Sequence, residues 1–228
     1  MDFTEREVVV TGGTGALGRA VVEVLVSAGA RCTVPYTHEA GARAFHDNER
    51  VRLVRCDLVE EAQVASLYGQ VEGLWASIHI AGGFTFAPVE KSDRALLMKM
   101  LDTNLVSAYL CSRAAVTAFG KRGGRIVNVA SRQALEPRLG AGTTAYTASK
   151  AAVAALTQAL AAEVKGRGIL VNAVAPSIID TPANRADMPA ADHASWPKAQ
   201  DIAAMIAFLA SPENRLASGA VVPVYGTA

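Results

Sequence analysis

Cysteine is scarce in this chain of 228 residues, with three in all, Cys32, Cys56 and Cys111. An odd number without metal-ligand spacing implies neither a disulfide framework nor a metal site. The three read as small core residues in a reducing compartment. An excess of charge is also lacking. Twenty-two Lys and Arg stand against 21 Asp and Glu, for a formal net charge of +1, and no basic run stands out. Nucleic acid and anionic membrane are therefore not expected partners. No segment approaches the ~20 apolar residues of a membrane span. The N-terminal MDFTEREVVV carries acids and lacks the apolar run of a signal peptide. A cytoplasmic protein is expected. Internal repeats, low-complexity tracts and Ser/Gly-rich linkers are missing too. With 51% apolar and 19% charged residues, the chain reads as one globular domain over 1–228.

What is present is an alternation. Short apolar, β-branched runs at 7–12, 31–36, 51–57, 74–83, 124–131, 168–176 and 220–225 are separated by helical patterns. The longest helical region is expected at about 91–119. Strands alternating with helices imply βαβ crossovers, hence an α/β fold with a Rossmann-like, three-layer, doubly wound parallel sheet of seven strands. Ligands bind such sheets at the carboxyl ends of the strands, where the strand order reverses. The run 176–197, PSIIDTPANRADMPAADHASWP, is long for a connection. It is expected to be an irregular substrate lid over about 177–197, with Met188 and Trp196 as apolar residues in polar surroundings.

After the first strand comes TGGTGALG, residues 11–18, leading directly into a helix. Glycines permit a tight turn and close approach to a ligand, and a helix N-terminus offers free N–H donors to a pyrophosphate. Between a buried strand and an amphipathic helix, such a turn reads as a dinucleotide site. Farther on, Tyr146 and Lys150 stand four apart in TTAYTASKAAVAAL (143–156), one turn apart on one helix face. Alone, that pair reads as a lysine stem packed on a ring at the surface. A cation one turn away would also favour a phenolate and bring a tyrosine of ordinary pKa ~10 into use as a base.

Together, TGGTGALG, Asp57 after the third strand, AGG after the fourth, Asn104, Ser131, YTASK and NAVAPSIIDTP resemble the short-chain dehydrogenase/reductase family, in order and over nearly the whole chain. The turn departs from the family's commoner TGxxxGxG, having Ala16 at the middle glycine, and fits TGxxGxxG through Gly12, Gly15 and Gly18. His79 stands where the family often has Asn, and it reads as a satisfied core residue. The resemblance implies an oxidoreductase using a nicotinamide dinucleotide, with Asn104, Ser131, Tyr146 and Lys150 as the catalytic set. Ser131 would bond the substrate oxygen, Tyr146 would exchange its proton, Lys150 would hold the nicotinamide ribose, and Asn104 would hold a water. It also implies cofactor contacts from Gly12, Gly15, Ala16, Leu17 and Gly18, and from Asp57 and Leu58 at the adenine. Ala81 and Gly82 would make room for the ribose, and Pro176, Ile179 and Thr181 would meet the nicotinamide. Asp57 could instead be a plain helix N-cap.

At the end of the second strand, Tyr36 and Thr37 stand where an acid would select NAD. Glu39 is expected to lie too far along to do so, and Thr37, His38 and Arg43 are the candidate phosphate contacts. NADP(H) is thus expected over NAD(H). The substrate is expected to be a small carbonyl or alcohol. The tail from DTPANRADMP to ASGAVVPVYG resembles the dihydropteridine reductase branch, but that branch lacks the serine kept here. Reduction of a quinonoid pterin is the alternative, and a non-catalytic dinucleotide sensor a more remote one. The alanine-rich flanks of the Tyr146 helix suggest close packing against a second subunit, as a homodimer or homotetramer.

Overall fold

The computed structural model of the chain describes residues 1–45 and 47–227. Seven parallel strands form its sheet: β1 (Glu7–Thr11), β2 (Arg31–Tyr36), β3 (Val51–Arg55), β4 (Leu74–His79), β5 (Gly124–Val129), β6 (Ile169–Pro176) and β7 (Val221–Val224). The order is β3-β2-β1-β4-β5-β6-β7. The direction of winding reverses between β1 and β4, as the alternation of elements implied. Apolar and β-branched residues fill both faces of the strands; Val8, Val9 and Val10 are all fully buried, as a sheet covered on both sides requires.

The helices are α1 (Ala16–Ser27), α2 (Glu39–Ala42), α3 (Glu61–Gly69), α4 (Arg94–Leu101), α5 (Ser107–Phe119), α6 (Arg132–Leu135), α7 (Thr144–Glu163), α8 (Pro182–Asp187) and α9 (Ala199–Ala210). One core lies between the sheet and α1 with α9. A second lies against α3, α5 and the end of α7.

Several expected boundaries move. β4 ends at His79 and β3 at Arg55, so the residues after them are free to face the cleft. The long helical region starts at Arg94, where Asp93 caps it by accepting from Leu96 N at 2.8 Å. It is interrupted by a π-helical turn over Asp102–Val106. The expected irregular lid contains α8, capped by Thr181, and a 3₁₀ turn at His193–Ser195. Trp196 is buried against the His193 ring rather than set in polar surroundings. Local caps such as Thr181 supply order that a search for apolar periodicity does not register.

The expected core role of His79 is met in detail. Its Nδ1 lies 2.8 Å from Asn128 Oδ1, and Asn128 Nδ2 donates to Thr157 Oγ1 at 2.9 Å. The amide oxygen can only accept, so Nδ1 carries the proton and Nε2 accepts from Ser77 Oγ at 2.8 Å. Tyr68 then donates to Ser77 at 2.6 Å. Hydroxyl, imidazole and amide thus form a one-way chain from Tyr68 to the Val153 carbonyl, reached from Thr157 at 2.9 Å. It joins α3, β4, β5 and α7 through the core.

Burial holds His79 down to about 4 from an ordinary 6.5. A second ring proton would also meet the Ser77 donor head-on. Because the folded pKa lies below the unfolded one, the unfolded chain binds the extra proton first as pH falls. Stability should therefore drop by up to about 3 kcal/mol between about pH 6.5 and 4. Urea unfolding across that range should show the loss, and His79→Asn should flatten it. Equal slopes in the two proteins would contradict this account.

Candidate active site

At the reversal of strand order the turn after β1 meets the loop after β4. Gly12 adopts φ +68°, and a Cβ there would lie 2.5 Å from Ala81 N. Only glycine lets the two loops approach so closely. Ile80 N donates to Thr11 O at 3.1 Å and Ala81 N to Thr11 Oγ1 at 3.3 Å, which fixes their spacing. Gly15 caps α1 without a side-chain bond, and no acid stands in the helix's first turn. The free amides of that turn present positive potential to the cleft.

The cleft above this junction measures about 560 Å³. The structure brings Gly12, Gly15, Ala16, Leu17 and Gly18 to one wall, and Ala81 and Gly82 to another. Ser131, Tyr146 and Lys150 close the far end with Pro176 and Ile179. An adjoining hollow of about 500 Å³ takes in Thr37, Asp57, Leu58 and Ala81. Asp57 is not the N-cap of α3; that position belongs to Glu60. Its carboxylate accepts from Val59 N at 3.2 Å. Three expected contacts do not line these spaces. Thr181 is turned to cap α8, Tyr36 bonds Glu39, and Asn104 lies behind the wall.

The chemistry-bearing groups are fixed by α7 and β5. Lys150 is buried, and its ammonium donates to Val129 O, the last carbonyl of β5, at 2.8 Å. Burial pulls its pKa to about 8. Burial raises the Tyr146 phenol above its ordinary value, and the neighbouring Ser131 hydroxyl works against that rise. The expectation that Lys150 draws the phenol down is not met by the chain's own groups. Burial of the phenol is the larger effect. Ser131 follows β5 and caps α6 with extended backbone. Its Oγ is buried and faces the Tyr146 phenol, yet makes no hydrogen bond of full geometry among the described residues. A buried hydroxyl left in that state costs stability, so it marks a place where a polar atom is wanted.

Asn104 sits at the centre of the π turn, and its amide is almost fully engaged. Oδ1 accepts from Gly83 N at 2.9 Å; Nδ2 donates to Gly83 O and to Ser149 Oγ, both at 3.0 Å. Ser149 in turn donates to Tyr146 O at 2.7 Å. A Cβ on Gly82 would lie 2.7 Å from Asn104 Oδ1 and 3.2 Å from Lys150 Nζ. The loop after β4 is thereby clamped against α7. Sequence reasoning missed Thr14, Gly83, Phe84, Thr103 and Ser177 as cleft residues. Their only sequence signal is position, each lying next to or near a motif residue.

The short chain dehydrogenase family model matches residues 6–191. The chain belongs to that family. It is accordingly an oxidoreductase of the kind that interconverts CH–OH and C=O groups. Among its relatives is the cis-4-hydroxycyclohexanecarboxylate dehydrogenase of Sinomonas cyclohexanicum, 34% identical over 98% of this chain and 96% of that one. Another is the 3-oxoacyl-(acyl-carrier-protein) reductase FabG of Escherichia coli, 32% identical over 99% and 98%. A solved structure of a putative NAD(P)-dependent gluconate 5-dehydrogenase from Beutenbergia cavernae, with bound NADP, superposes with a TM-score of 0.89. It is 30% identical and covers 99% of this chain and 97% of its own.

The free amides of α1 and the close-packed glycine turn fit a dinucleotide pyrophosphate. The Asn104 clamp is what keeps the wall beside it in place. Asn104→Ala would leave Gly83 N and O and Ser149 Oγ without their partner. It should cost about 1–3 kcal/mol, read as a lower denaturant midpoint, with Asn104→Asp falling between it and the parent. An unshifted midpoint for Asn104→Ala would remove the clamp.

Proposed function

We propose that the chain is a nicotinamide-dinucleotide-dependent reductase or dehydrogenase in which Tyr146 exchanges a proton with the substrate oxygen. Ser131 bonds that same oxygen, Lys150 binds and orients, and Asn104 positions the loop beside them. The observation that carries this reading is the orphaned, buried Ser131 hydroxyl beside the Tyr146 phenol at the closed end of the cleft. A carbonyl oxygen seated there would accept from both groups, which stabilise negative charge as it develops.

When bound, the nicotinamide supplies or accepts the hydride, and its oxidised form adds a positive charge that favours the phenolate. In the reducing direction the phenol gives its proton to the substrate oxygen as the carbonyl carbon becomes CH–OH, and solvent restores that proton. In the oxidising direction the phenolate takes the proton back. Relatives whose names assign them to a hydroxycyclohexanecarboxylate and to a 3-oxoacyl group support the carbonyl/alcohol class.

Burial and the Ser131 hydroxyl pull the phenol in opposite directions, and burial is the larger effect. Alcohol oxidation, which needs the phenolate, should therefore climb with pH from about 7 to 9, by up to about tenfold per unit. Ketone reduction, which needs the phenol, should change little over the same range. Tyr146→Phe should keep the fold while turnover falls by about two to four orders of magnitude. Steady-state rates in both directions check this. Near-parental turnover by Tyr146→Phe would end the mechanism.

The preferred cofactor is read at the end of β2. Thr37 borders the adenosine side of the cleft, and α2 folds over the glycine turn. There Arg19 donates from Nε to Thr14 O at 3.1 Å and from a terminal nitrogen to Gly41 O at 3.4 Å. Glu39 opens α2, the helix after β2, and the Tyr36 hydroxyl donates to its carboxylate at 3.0 Å. We favour NADP(H), since Arg19 supplies a cation and Tyr36 engages the acid; NADP-bound relatives support it. A charge-assisted contact of about 1.5–3 kcal/mol gives a preference of roughly tenfold or more. Paired titrations should find NADPH bound more tightly than NADH, and Tyr36→Asp should reverse the order. Tighter NADH binding by the parent would overturn the preference.

A further inference from the structure

We propose that the substrate carries an uncharged ring, aryl or cycloalkyl, directly at its carbonyl, and that Phe84 is the wall that selects it. The inference rests on the oxidoreductase reading above and goes on to the substrate's shape and charge.

Phe84 and Phe86 lie on the loop after β4 that also supplies Ala81 and Gly82 to the cleft. They are 60% and 67% exposed. Two large apolar rings so close together and so open to water mark a surface meant to be covered. Phe84 lines the cleft itself, and its ring meets the Tyr146 ring edge-on, with centroids 5.0 Å apart and planes at 78°. An apolar ring surface therefore begins within one ring's width of the phenol. Phe86 continues it toward Gly142, whose carbonyl accepts from Ala87 N at 2.8 Å. Leu139 and Ile178, both exposed, lie on the segments before Tyr146 and after Pro176.

The wall is held in place. Asn104 bonds both the N–H and the carbonyl of Gly83, the residue before Phe84. A ring on so constrained a backbone is set before substrate arrives, so little ordering is left to oppose binding.

Charge points the same way. Lys150 is the only charged side chain lining the cleft among the described residues, and its ammonium is directed to Val129 O. The nearest cation along the chain from Ser131 is Arg132, which pairs with Glu136 at 3.2 Å and lies over the Tyr225 ring. A carboxylate or phosphate on the substrate would lose water without gaining a cation in return. A flat or cyclic apolar group loses nothing polar, and it gains a ring to pack on.

The test compares kcat/KM for acetophenone, cyclohexyl methyl ketone, 2-butanone and pyruvate, with the preferred reduced nicotinamide, for the parent protein, Phe84→Ala and Phe84→Tyr. The two ring ketones should lead in the parent. Phe84→Ala should lower them about 10- to 100-fold more than 2-butanone, chiefly through KM, and Phe84→Tyr should restore most of the difference. A parent that prefers 2-butanone or pyruvate, or an equal fall on every ketone in Phe84→Ala, would overturn the proposal. Saturation-transfer NMR of acetophenone binding to Tyr146→Phe separates the wall from the reaction. Ring binding that Phe84→Ala abolishes supports the wall even if no ketone in the panel is turned over, an outcome that counts against the oxidoreductase reading alone. Absence of ring binding overturns the wall whatever the turnover.

Discussion

A buried ammonium is the constraint on which the site depends. Lys150 could not be carried into the protein without an acceptor, since an isolated buried charge costs far more than one hydrogen bond returns. Val129 O provides that acceptor at 2.8 Å, and in doing so ties the first turns of α7 to the carboxyl end of β5. That bond, with the packing of α7 on β6, brings Tyr146, one turn before Lys150, and Ser131, two residues beyond Val129, to the same place. The remaining cost of burying the charge shows as a lysine pKa lowered to about 8. The ammonium is consequently easier to discharge than an exposed lysine.

A second contact extends the same logic across the cleft. The π turn at Asp102–Val106 rotates Asn104 inward, where its amide spans Gly83 on the loop after β4 and Ser149 on α7. Wide turns of this kind are inserted where a side chain must be re-aimed. Gly82 has no side chain because Asn104 and Lys150 occupy the space one would fill. The glycines at this site thus serve the packing of the protein against itself as much as any ligand.

Much of the fold was legible from the linear pattern. Buried parallel strands are continuous apolar runs, and β-branched residues alternating with helical periodicity leave one architecture open. Ends of elements were less legible. Helix starts at Arg94 and Pro182 are set by the side chains of Asp93 and Thr181, which are local and polar and carry no periodicity. The π turn was unreadable for a related reason, since one extra residue in a turn changes no apolar spacing enough to notice. Thr181, expected at the nicotinamide, has a local task that spacing did not reveal, its hydroxyl accepting from Asn184 N at 3.2 Å to cap α8.

The strands and helices, the glycine turn and the Tyr146–Lys150 pair follow from residue type and spacing, because each depends on neighbours within a few positions, while the family follows from the resemblance of several such motifs in order. Three properties depend on groups far apart in the chain. Asn104 commits its amide to Gly83 and Ser149, Lys150 reaches Val129 O, and the phenol is lifted by burial rather than lowered by its lysine. Phe84 belongs with them, being an ordinary loop aromatic until the fold sets its ring against Tyr146. Spacing along a chain determines which side chains share a face. Only the packed structure decides which donor finds which acceptor and how much water each group keeps, and those two quantities set hydrogen bonding and pKa.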